Sequence, residues 1–113
     1  MARPEAKARD TWLAMIGALP RVYVYRSEVV LGEHWQRSLP DGHPDVVLCV
    51  CGHVVLCEWK SRAGKLSDAQ ERFHRNWRAA GGTVWVCRDP AETVRWMLPL
   101  ADNALRDALL KLF

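Results

Sequence analysis

The sequence predicts an α/β domain spanning 1–113, with a central mixed β-sheet flanked by helices in the order αβββαβαα. Three observations predict it. Residues 45 to 51 and 54 to 60 are adjacent β-rich apolar runs that read as a hairpin. Ser67 to Ala80 reads as a helix joining that hairpin to another apolar strand, Thr83 to Cys87, and a helical connection suggests a parallel return. Amphipathic segments at both ends supply the covering helices.

Pro4 suits a first helical turn, and Trp12, Leu13, Ile16 and Leu19 form one stripe, so a helix is expected from Pro4 to about Leu19. Arg21 to Leu31 alternates and is rich in aromatic and β-branched residues, a first strand. Gly32 to Gly42 has no period and reads as a loop. Gly52-His53 fits a two-residue hairpin turn with glycine first. That turn sets Asp45 opposite Lys60, Val47 opposite Glu58, Cys49 opposite Leu56 and Cys51 opposite Val54.

In the following helix Ser67-x-x-Gln70 is a capping box, Ala69, Phe73, Trp77 and Ala80 make the apolar stripe, and Gly81-Gly82 ends it. Asp89-Pro90-x-Glu92 reads as an N-cap with proline at the first helical position, opening a helix to about Leu98 that Pro99 stops. Ala101, Leu105, Ala108, Leu109 and Leu112 share one side of a last helix. It either closes the core or faces a second subunit.

The chain has 113 residues, half of them hydrophobic and six of them tryptophan, enough for one core. No stretch approaches the roughly 20 apolar residues of a membrane span, and the charged N-terminus does not read as a signal peptide. A cytoplasmic location is the expectation. Cys49, Cys51, Cys57 and Cys87 lack the paired spacing of zinc sites and read as reduced core residues within strands.

Chemistry concentrates at the open end of the hairpin. Side chains alternate along a strand, so Asp45, Glu58 and Lys60 project from one face, close enough for a hard cation to bridge the two acids. Oxygen ligands favour Mg²⁺ or Mn²⁺ over Zn²⁺. A one-residue slip would separate the acids, and an ordinary cross-strand ion pair is the alternative use of the same residues.

Gly42-x-Pro44-Asp45, Glu58-x-Lys60, Gly64-Lys65-Leu66-Ser67-x-x-Gln70 and Ala80-Gly81-Gly82 before an apolar strand resemble the virus-type replication-repair nuclease (VRR-NUC) branch of the PD-(D/E)XK nucleases. The resemblance runs from about Arg26 to Met97. It implies a restriction-endonuclease-like core and a Mg²⁺- or Mn²⁺-dependent DNA endonuclease. Asp45 and Glu58 would be metal ligands with the Trp59 backbone carbonyl as a further one, Lys60 the catalytic lysine, and Gln70 an accessory catalytic residue.

It also implies homodimers acting on branched DNA such as Holliday junctions, with metal-assisted attack of water leaving a 5′-phosphate and a 3′-hydroxyl. No organic cofactor and no membrane partner is expected. The chain departs from the family at the front. Where a glutamate is usual in the first helix stand Arg9 or Asp10, and Glu5 falls a turn too early, which leaves Asp10 and Glu5 as candidates for an outer-sphere metal role, against the commoner use of such acids as solvated first-turn residues that favour the helix dipole.

The net charge is only +3, but residues 60 to 88 carry seven basic side chains against two acidic ones. Arg62, Lys65, Arg72, Arg75 and Arg78 in that stretch are candidate phosphate contacts, an ordinary solvated helix face being the alternative, and the resemblance to the family's strand-end arginine adds Arg26. Trp35 could stack on a base, and His43 could touch substrate; both could equally be packed loop residues. A flap- or duplex-directed nuclease on the same core, a non-catalytic DNA-binding module, and an interaction protein with a plain salt bridge are the competing readings.

Overall fold

The computed structural model describes residues 4–27 and 39–112, and the elements follow the expected order. Helix α1 is Pro4–Gly17, strands β1, β2 and β3 are Val22–Arg26, Val46–Val50 and His53–Trp59, and helix α2 is Asp68–Ala79. Strand β4 is Thr83–Cys87, helix α3 is Pro90–Met97 with a 3₁₀ turn over Leu98–Leu100, and helix α4 is Asn103–Leu112. The sheet order is β1-β2-β3-β4. The first three strands are antiparallel, and β4 returns parallel to β3. It is the mixed sheet the crossover helix called for.

The hairpin register differs from the expected one. Val50 pairs with His53, so the turn is Cys51-Gly52 and not Gly52-His53, and every pairing moves by two residues. Both turn residues have positive φ, 49° at Cys51 and 86° at Gly52, as a type I′ turn requires and as the twist of the strands favours. Cys51 therefore leaves the strand, and Cys49 pairs with Val54. Because the change is an even number of residues, every side chain keeps its face.

The two faces are covered differently. Val46, Leu48, Val50, Val55, Cys57, Trp59 and Cys87 pack on Trp12 and Ile16 of α1, Val94 and Met97 of α3, and Leu105 and Leu109 of α4. The last helix thus closes the core, although Leu112 at its end is exposed. The Trp12 indole N–H donates to the Thr93 hydroxyl, and its ring lies 5.3 Å from that of Trp59. Helix α2 covers the opposite face beside β3 and β4, where Arg78 donates to the Val84 carbonyl at 2.9 Å.

Two expected caps form. Ser67 and Gln70 make a reciprocal capping box, and Asp89 accepts from the Ala91 N–H at 3.0 Å with Pro90 opening α3. The expected stripe of α2 is only half realised. His74 is its buried residue, while Ala69, Phe73 and Trp77 are half-buried and Ala80 is exposed. With Pro40 and Arg72 they line a groove of ≈ 430 Å³.

The first strand was expected to reach Leu31 but ends at Arg26, and residues 28–38, including Trp35 and most of the expected loop, lie outside the described residues. All four cysteines are free. Hydrogen bonding to Cys57, then burial, push the Cys87 thiol up, which keeps it protonated and unreactive. Among the described residues no helix is long and apolar enough to cross a membrane.

Candidate active site

One backbone contact after another places Asp45. Gly42 has φ of +82°, and a Cβ there would overlap the Ala69 carbonyl in the first turn of α2. Glycine therefore lets the segment before Asp45 pass against that helix. Beyond it, Ser27 binds the segment twice. Its N–H donates to the Asp45 carbonyl at 3.0 Å and its hydroxyl to the Pro44 carbonyl at 2.6 Å. The sequence reading had no role for Ser27.

The observed register, extended one step beyond Val46–Cys57, sets Asp45 level with Glu58 instead of Lys60. The two carboxylates are thus near enough for the charge of Asp45 to act on Glu58. Asp45 Oδ1 accepts from the Trp59 N–H at 3.3 Å, and Oδ2 lies 3.4 Å from Arg9 Nη1. Arg9, at the helix position where the resemblance expects an acid, is an ion-pair partner of Asp45. It also contacts Asp10 at 3.2 Å, whose own side chain is 60% exposed. The Glu5 side chain lies outside the described residues.

Glu58 is 5% exposed, and its Oε1 has no hydrogen-bond partner. Burial, reinforced by the negative charge of Asp45 and partly offset by Lys60, pushes its carboxyl up from 4.5 to about 8. Across the gap, His74 of α2 is 1% exposed with both ring nitrogens unpartnered, and its Nε2 lies 3.8 Å from Glu58 Oε1. Burial, then the charges of Arg78 and Lys60, lower the pKa of the imidazole. Both shifts disfavour the charged forms that an ion pair would need. The contact is also too long for a hydrogen bond.

Peptide geometry orients the Trp59 carbonyl. The Lys60 N–H donates to the Cys87 carbonyl of β4 at 2.9 Å. In a planar trans peptide the C=O points opposite to the N–H, so the Trp59 carbonyl points away from β4, to the side on which its own N–H reaches Asp45. Lys60 is half-buried at the end of β3, near enough for its charge to act on both Glu58 and His74.

The Gln70 side chain is engaged in the cap, accepting from the Ser67 N–H at 2.9 Å. His43 donates from Nδ1 to the Pro44 carbonyl at 2.7 Å and packs 5.1 Å from the Phe73 ring.

The basic residues separate into two groups. Lys65, Arg72 and Arg75 are exposed, and Arg62 is 86% exposed with a 3.5 Å contact to Asp89. Arg78 is tied to β4, and Arg88 binds the Ser61 and Gly64 carbonyls at 2.6 Å each, bracing the loop after β3. Arg26 pairs with Val46, which puts it on the α1 face and not on the face of Asp45 and Glu58.

His74 is the site residue the sequence reading missed. Its signal was present, since it stands four residues after Gln70 and thus on the same helical face. Among the described residues no group of three or more His, Cys, Asp or Glu side chains forms a metal cluster. Two carboxylates nevertheless suit a cation that keeps most of its waters, and the unpartnered Glu58 oxygen fits that role. Comparison with family models, curated proteins and solved structures returns no match.

Proposed function

We propose that the chain is a metal-dependent DNA endonuclease of the VRR-NUC type, hydrolysing phosphodiester bonds in branched DNA such as Holliday junctions. The observation that carries the reading is the buried Glu58 carboxyl, one oxygen unpartnered, within the field of the Asp45 carboxylate. Burying a carboxyl beside another acid is costly unless a cation or proton compensates it. A bound Mg²⁺ or Mn²⁺ would supply that compensation, activate water and neutralise charge on the phosphate.

In this reading Asp45, Glu58 and the Trp59 carbonyl would hold the cation. Lys60, on the same face, stabilises negative charge developing at the phosphate. Lys65, Arg72 and Arg75 bind flanking phosphates and set the strand over the site. A homodimer would present two such sites for paired nicks in a branched substrate.

A second reading, a DNA-binding module without cleavage, draws on the Arg9 contact to Asp45 and on the use of Gln70 as a cap. One experiment separates them. Labelled four-way junction, flap, duplex and single-stranded DNA are incubated with Mg²⁺, Mn²⁺ or EDTA, using wild type, Asp45→Ala and Lys60→Ala. Metal-dependent cutting lost in both variants is expected, and the preferred substrate ranks the specificities. DNA bound in EDTA but never cut would favour the binding module.

A further inference from the structure

The buried group that packing does not account for is His74. Helix α2 carries it into the face of the sheet at 1% exposure, where neither ring nitrogen has a partner. Leucine or phenylalanine would fill the same helix position without stranding two polar atoms. Opposite stands the other unpartnered buried atom, Glu58 Oε1, at 3.8 Å from Nε2. Two unsatisfied polar atoms, Nε2 and Oε1, thus face one another across a single gap, and closing it by about 1 Å would make a hydrogen bond.

We propose that His74 is a positioning residue for Glu58. Its Nε2–H donates to Oε1 when Glu58 takes up a divalent cation, which fixes the orientation of the carboxylate toward the ion. The inference rests on the metal reading of Asp45 and Glu58. The helix aims the ring before any ion arrives: the Ser67–Gln70 box caps the first turn, and the ring itself is packed against the sheet. Residues that orient a metal's carboxylate through such a bond commonly change metal affinity ten- to a hundred-fold when removed.

The test uses Mn²⁺ alone as probe, with free ion measured by electron paramagnetic resonance on wild type, His74→Phe and His74→Gln, without DNA. His74→Phe keeps a ring and removes both nitrogens, whereas Gln retains an N–H at a reach comparable to Nε2. Mn²⁺ binding at least ten-fold weaker in His74→Phe, with the metal-free protein melting no lower than wild type, and within three-fold of wild type in His74→Gln, is the expected result. If His74→Phe fails to fold, His74→Leu, which also removes both nitrogens, takes its place under the same criteria. Unchanged affinity in His74→Phe, or no rescue by Gln, overturns the positioning role while wild-type binding still stands for the metal site. A wild type that binds no Mn²⁺ overturns both.

Discussion

Replacing Glu58 by Gln removes the charge of the buried carboxyl and keeps its shape, which turns its environment into a measurable pH dependence. The carboxyl titrates at about 8 in the folded chain against an ordinary 4.5. Between those values the folded chain binds more protons than the unfolded one, so stability falls as pH rises. Below 4.5 both states are protonated and the site costs nothing; above 8 both are ionised and the full cost is present.

The displacement corresponds to a cost on the order of 4–5 kcal/mol at about 1.4 kcal/mol per unit. The amide of Glu58→Gln has no such penalty. Urea unfolding followed by tryptophan fluorescence should therefore give equal stabilities near pH 4 and a variant several kcal/mol more stable above pH 8. His74 adds the opposite slope, because its lowered pKa makes the unfolded chain bind more protons below 6.5. That slope is shared by both proteins and largely cancels in their difference. Mn²⁺ at pH 8 should recover stability in the wild type alone. A difference that does not change with pH would refute the reasoning.

Three further outcomes follow from particular contacts. Arg72→Ala combined with Arg75→Ala should lower the slope of log affinity against log salt by about 2 for duplex DNA in EDTA; an unchanged slope would show that this face does not meet phosphates. Ser67→Ala should cost about 1 kcal/mol in urea unfolding through the lost cap. If Gln70 acts only as its reciprocal partner, Gln70→Ala should match that loss with no separate effect on cleavage, whereas a selective drop in cleavage would restore its catalytic role. Gly42→Ala should destabilise the fold by at least about 2 kcal/mol, through positive φ and overlap with the Ala69 carbonyl; equal denaturation midpoints would disprove the close approach.

Much of the architecture was legible because it is written in local chemistry. Ser67 with Gln70, and Asp89 with Ala91, satisfy orphan helix N–H groups through neighbours three residues away or fewer, so spacing suffices to find them. Apolar runs marked the strands, and the helix between Glu58 and Thr83 implied the parallel return. The two-residue error in hairpin register has an equally definite cause. An alternating pattern repeats every second residue, so it fixes which face a side chain takes but not its partner. The turn fixes the partner, and Cys51-Gly52 hides a type I′ turn behind a cysteine where asparagine or aspartate is usual.

The site divides along the same line. The sequence by itself determined the faces of Asp45, Glu58 and Lys60, the caps, and the basic stretch beside them, because each follows from residue type at short spacing. Tertiary structure alone decided that Asp45 stands level with Glu58, that Arg9 reaches Asp45, that Arg78 and Arg88 brace the fold, and that His74 faces the buried acid. Each of those depends on how separate elements dock. An apolar-stripe reading of α2 favours Phe73 and Trp77 for the core, yet the sheet beneath it offers a carboxyl, and the polar His74 is what meets it.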